Sequence, residues 1–259
     1  MPKAILVDHD GTHKYRIEGD DRVSPDALLP SVSNIAKHAE AGDSDGLIWW
    51  GINAFAETGN KADFARRREL AGIRGTNIHA YISQMIKSSL YGPVREMAPA
   101  VIRDDQPIPE WDIKMLDKWR SEASDHVKDW VATEVSVYNP ELGYAGTYDA
   151  LALDQDDDVV IFDWKTRSSY GPPRNTDAVQ LGGYALAMES MNSPLLPMPL
   201  PTIGKVVYLY HGLSQRKDGT STSRPRITWC WVNLDLAKEA FRNCVALYKL
   251  ATKGCYYEQ

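Results

Sequence analysis

In "DVVIFDWKTRSS", residues 158–169, Asp163 and Lys165 stand two apart at the end of an apolar run. Period-2 geometry sends both side chains to the same face of a strand and Trp164 to the other. Val159, Val160, Ile161 and Phe162 are apolar on both faces, so the strand is central, and polar groups there need partners or a task. One outcome is a satisfied ion pair. The other is phosphate chemistry, in which carboxylates hold a cation and the lysine meets developing negative charge.

The stretch "GYAGTYDALALDQDDDVVIFDWKT" reads as a hairpin, and Asp156 lies midway between Asp149 and Asp163. A turn centred there sets those two acids opposite each other, with Cβ atoms about 5 Å apart, where like charges are destabilising unless neutralised. A divalent cation would neutralise them, and carboxylate oxygens suit hard ions such as Mg²⁺ or Mn²⁺. If the register slips by one residue, Asp149 merely caps a turn.

The elements that must position these groups follow from periodicity. Residues 1–30 are polar, with Gly, Asp and Pro, and read as an irregular or short β-type arm without an assignable role. A helical region spans 31–130. Ser31 or Ser33 can cap its first helix, "DGLIWWGINAFAETG" carries a second, and "RGTNIHAYISQMIKSSLYG" a third with Thr76 as N-cap. In the fourth, Trp111, Met115 and Trp119 repeat at i, i+4, i+8. From 131 the period changes to 2 for three consecutive strands. A helix over 176–191, two further strands and a closing helix complete one α/β domain of 259 residues.

Composition narrows the function classes. The net charge of −6 argues against a general polyanion binder but leaves room for a local basic channel. Arg66, Arg67, Arg68 and Arg74 cluster in sequence, and Arg167 and Arg174 flank Lys165; these form either a solvated face or a path for phosphates. Three cysteines, Cys230, Cys244 and Cys255, supply neither a disulfide framework nor four thiolates for an iron–sulfur cluster, and they point to a reducing, cytoplasmic setting. The opening apolar run is too short for a signal sequence, and no segment is long enough to span a membrane.

Five motifs in order, "PSVSNIAK", "GTNIHAYI", "GYAGTYDAL", "DWKT" and "QLGGYALAM", resemble the RecB-type exonuclease group of the PD-(D/E)xK nuclease superfamily. The resemblance implies a restriction-endonuclease-like core, a central mixed sheet flanked by helices. It also implies metal-dependent hydrolysis of DNA phosphodiesters in recombination, repair or replication, in a bacterium or its phage. DNA with a free end would be the partner, alongside recombination or replication proteins. Metal ligation is carried onto Asp149, Asp163, His79 and the main-chain carbonyl of Trp164, with Glu134 as a weaker addition. Lys165 becomes the catalytic lysine, and Gln180 and Tyr184, an i, i+4 pair, support the active site. His79 would sit at about the third helical position behind Thr76, where the positive helix end keeps the imidazole neutral. Trp49 and Trp50 either belong to the core of the helical layer or stack on bases of a threaded strand. Two other activities fit the same residues: an endonuclease acting on branched DNA, and a catalytically silent DNA-binding module.

Overall fold

A computed structural model describes residues 2–9, 12–39, 61–92, 109–168, 170–191, 199–215 and 221–253. The expected helix over 46–59, with Trp49 and Trp50, lies outside them. The main sheet has five strands: β4 (Asp129–Asn139), β5 (Tyr144–Leu153), β6 (Val159–Arg167), β7 (Ile203–Tyr210) and β10 (Arg226–Val232). Their order is β10-β7-β6-β5-β4, and only the β6–β7 pairing is parallel within it. The strand carrying Asp163 and Lys165 is therefore the middle one, as its two-sided apolar run requires. Joining parallel strands takes a crossover, and the chain between β6 and β7 contains helix α4 (Asn175–Met191).

Helices cover both faces. On one, α1 (Val32–Ala36), α4 and the closing helix α5 (Leu234–Lys253) bury Ile35, Leu181, Tyr184 and Phe241 against Ile161, Val206 and Tyr208. On the other, α2 (Lys61–Tyr91) and α3 (Glu110–His126) bury Ile78, Ile82, Met115 and Trp119 against Phe162, Trp164 and Val207. Alternation along β6 thus assigns Ile161 to the first layer and Phe162 and Trp164 to the second. Gly182 and Gly183 let α4 and α5 touch. A Cβ on Gly182 would overlap the Ala237 carbonyl, and one on Gly183 would stand 2.6 Å from the Phe241 ring.

One expectation is corrected. Thr76 does not start a helix, because α2 runs through it from Lys61. Its hydroxyl donates to the Gly72 carbonyl at 3.1 Å, one turn back, so the residue is accommodated mid-helix. Of the two readings of the N-terminal arm, irregular or short β-type, the second holds. Strands β1 (Lys3–His9), β2 (Thr12–Glu18) and β3 (Leu29–Pro30) form an antiparallel sheet, and Tyr15, Ile17 and Leu29 pack with Tyr138 and Ala145 of the main sheet. A hairpin β8 (Leu213–Gln215)–β9 (Ser221–Ser223), absent from the sequence reading, follows β7. Among the described residues no helix is long and apolar enough to cross a membrane.

Candidate active site

The β5–β6 ladder pairs Ala150 with Phe162 and Leu151 with Ile161, the register that a turn centred on Asp156 demands. Asp149 and Asp163 would be the next pair. There the ladder stops, and the Trp164 amide donates instead to Asp149 Oδ2 at 2.7 Å. Asp149 Oδ1 lies 3.2 Å from His79 Nδ1 of α2, and the Asp149 carbonyl accepts a 2.7 Å bond from the Thr133 hydroxyl. The carboxylate is thus held from three elements.

Glu134 belongs to this group. Ligand atoms of His79, Glu134 and Asp149 all lie within 4.8 Å of one another. Glu134 has φ +54, one of two non-glycine residues at positive φ among those described, a conformation costing on the order of 1 kcal/mol or more. It sits between Thr133 and Val135, which pair with Ala150 and Tyr148, so the twist occurs directly across from Asp149. The sequence reading ranked Glu134 below Asp163 as a ligand; the structure groups it with Asp149 and His79, and Asp163 is not in that cluster.

Asp163 faces Lys165. Its Oδ2 is ion-paired with Lys165 Nζ at 2.7 Å. Lys165 Nζ donates to Gln180 Oε1 at 3.1 Å, and Gln180 Nε2 donates to the Tyr184 hydroxyl at 2.7 Å. The i, i+4 pair on α4 therefore reaches the lysine through one continuous chain of contacts.

Electrostatics separate the two acids. Burial alone would raise Asp149, but the His79 and Lys165 charges outweigh it and hold the carboxyl below its usual range. Burial likewise raises Asp163, and there Lys165 offsets only part while the Asp149 charge adds to the rise, so its pKa goes up. Desolvation and the Asp149 charge push Glu134 up to about 7. Burial lowers His79, but Asp149 more than compensates and the ring is shifted upward, towards imidazolium. The expected helix-start effect is corrected: His79 lies deep within α2, not at its start, and the nearest charge is a carboxylate. Lys165 is desolvated by burial, but Asp163, Asp177 and Asp149 raise it overall and keep the ammonium charged.

Two cavities flank these groups. One, of about 670 Å³, is lined by His79, Glu134 and Asp149, with Leu6, His13 and Tyr15 of the N-terminal sheet as its far wall. Sequence reasoning missed that wall, although the Asp10-Gly11 dipeptide between two β-type runs is a hairpin signal. The other, of about 750 Å³, is lined by Lys165, Arg74, Arg167 and Arg174. Arg74 and Arg167, expected to contact DNA, are held internally. Arg74 forms a bidentate pair with buried Asp112, its Nε bond measuring 2.7 Å. Arg167 donates to Asp177 Oδ2 at 3.1 Å and to the Pro172 carbonyl at 2.7 Å, and lies over the Tyr208 ring. Buried carboxylates at 112 and 177 need cationic partners, which explains the difference. Arg66 and Arg68 are exposed on α2, with Arg67 half-buried.

The donor set fits a divalent cation. Two carboxylates and an imidazole converge in one cleft, and the Asp163 carboxylate, ion-paired with Lys165, lies on the adjoining strand.

Residues 55–243 match the PD-(D/E)XK nuclease superfamily. Two solved structures are also similar. The protein SSO0001 is 17% identical, covering 66% of this chain and 74% of its own, with a TM-score of 0.30. A phage related exonuclease from Haemophilus somnus 129PT is 12% identical, covering 86% of this chain and 95% of its own, with a TM-score of 0.31. No curated protein matches. A mixed sheet flanked by helices, two acids and a lysine meeting at one strand end, and a family match over most of the sequence agree, and the chain belongs to the PD-(D/E)XK nuclease superfamily.

Proposed function

We propose that the protein is a Mg²⁺- or Mn²⁺-dependent deoxyribonuclease of the RecB type that degrades DNA from a free end, in recombination, repair or replication. One observation carries the hydrolytic assignment. Lys165 is clamped between Asp163 and Gln180, two residues from an acid and one from the amide that Asp149 accepts. A lysine merely filling a core would not be held by a carboxylate and an amide, with Asp177 and Asp149 adding to the field that keeps it charged.

Asp149, Glu134 and His79 would hold the cation, with Asp163 and the Trp164 carbonyl as adjoining donors. When bound, such an ion supplies Lewis-acid charge at the phosphate and lowers the pKa of attacking water. The chain's own residues do the rest. His79 must give up its proton to act as a donor, and Asp149 then orients the ring. Lys165 stays protonated and would offset charge that builds on the non-bridging oxygens. Gln180, itself held by Tyr184, fixes Nζ so that little reorganisation is needed. Arg66, Arg67 and Arg68 on α2 extend the reading to phosphates outside the cleft.

A topology assay tests the free-end requirement. Linear single- and double-stranded DNA should be cut to short products in Mg²⁺, whereas a covalently closed single-stranded circle of the same sequence should resist. Cleavage of the circle at the linear rate would replace this reading with an endonuclease.

A further inference from the structure

The crossover between β6 and α4 carries a ring that is held in place without being buried. Tyr170 is 62% exposed and lines the same cavity of about 750 Å³ as Lys165. The Arg226 guanidinium lies over the ring at 4.0 Å, and the Tyr210 ring is 5.5 Å away, tilted by 51°. The residues that follow are tied from three directions. The Tyr210 hydroxyl donates to the Gly171 carbonyl at 3.3 Å, Arg167 donates to the Pro172 carbonyl at 2.7 Å, and the Arg174 amide donates to the Tyr208 hydroxyl at 3.0 Å. Pro172 and Pro173 restrict the backbone between those ties. Ordering an exposed ring costs conformational entropy that burial does not return here. A ring already fixed, however, takes a planar partner at little further cost.

Charge describes the other half of that partner. Of the arginines lining this cavity, Arg74 is paired with Asp112 and Arg167 with Asp177. Arg174 is exposed, and its guanidinium has no partner among the described residues. A fixed aromatic ring and a free guanidinium beside Lys165 match the base and the phosphate of one nucleotide. We propose that this cavity is a subsite for a single unpaired nucleotide next to the scissile phosphate, its base stacked on Tyr170 and its phosphate held by Arg174. The strand's identity as DNA rests on the proposed nuclease activity. The subsite adds a requirement to it: the nucleotide enters out of the duplex, because a paired and stacked base offers no free face to a side chain. Every base has a π-face, so the grip is indifferent to sequence. The two cavities then divide the work. His79, Glu134 and Asp149 line the one suited to a cation, and Tyr170 and Arg174 line the one that takes the strand.

Binding of the full chain to short oligonucleotides in EDTA tests the subsite without hydrolysis, so the result is separate from whether the protein cuts DNA. Fluorescence anisotropy with a labelled thymidine octamer, and with an octamer of abasic nucleotides that keeps the same phosphates, reads the base. The parent should bind the thymidine strand about tenfold more tightly, and Tyr170→Ala should erase that preference while keeping its affinity for the abasic strand. Tyr170→Trp should retain the preference and Tyr170→Leu should lose it, which separates stacking from loop structure. Arg174→Ala should weaken binding of both strands and flatten the log–log salt dependence by about 0.7. The proposal is overturned by a preference that survives Tyr170→Ala or Tyr170→Leu, or by an unchanged salt slope in Arg174→Ala. A parent protein that binds the two strands equally, or binds neither, overturns it as well. If such a protein still cuts linear DNA in Mg²⁺, the nuclease reading stands and the subsite alone falls.

Discussion

Asp149 and Asp163 are adjacent members of one hairpin register, yet their surroundings treat them oppositely. Asp149 is matched to His79, accepts the Trp164 amide and is held as a carboxylate. Asp163 is more deeply buried and is drawn upward although Lys165 stands beside it. Two acids of similar intrinsic strength thereby stand in separate surroundings, and the proposed mechanism gives them separate tasks. One lies in a donor cluster with Glu134 and His79, and the other is ion-paired with the lysine.

The division has measurable consequences. Asp149→Asn should remove the core of the cluster and reduce turnover by on the order of 10³-fold, with Mn²⁺ affinity by calorimetry falling at least about 100-fold. Asp163→Asn should weaken Mn²⁺ less; equal losses from both variants would erase the comparison. Lys165→Ala should cost on the order of 10²-fold in single-turnover rate while Mn²⁺ binding is kept, because it acts on transition-state charge.

Protonation sharpens the contrast further. Glu134 at about 7 and an upward-shifted His79 must both lose protons before binding a cation. Protons therefore compete below those pKa values, and Mn²⁺ affinity should fall at least about tenfold as pH is lowered from 8 to 6. Calorimetry at pH 6.5 in two buffers of different ionisation enthalpy should show proton release. Identical heats in both buffers would contradict the shifted pair. A smaller effect belongs to Gln180→Leu, expected to slow turnover about tenfold by freeing Lys165 Nζ, with little change in metal binding.

Much of this was legible in the sequence, for definable reasons. A two-sided apolar run identified β6 as central, and counting to Asp156 placed Asp149 at the hairpin position opposite Asp163. Local patterns of that kind depend only on strand geometry. The Lys165–Gln180 contact, by contrast, needed the crossover that lays α4 against β6. His79 was named as a neighbour of the acids but placed at a helix start that would disfavour its charged form, because Thr76 resembles a cap in sequence and only tertiary packing carries α2 through it. The left-handed Glu134 has no signature in composition, since the constraint comes from the strand opposite. The N-terminal wall was missed because its side chains meet the cleft only after the small sheet folds back.

The central claim is that hydrolysis depends on a cation held by Asp149 and on the Lys165 ammonium. Single-turnover cleavage of end-labelled linear DNA in Mg²⁺ and in EDTA tests it most directly, comparing the parent protein with Asp149→Asn and Lys165→Ala. The account predicts cleavage by the parent in Mg²⁺ alone and rates at least about 100-fold lower for both variants. Cleavage in EDTA, or a Lys165→Ala protein that cuts at the parental rate, would contradict it.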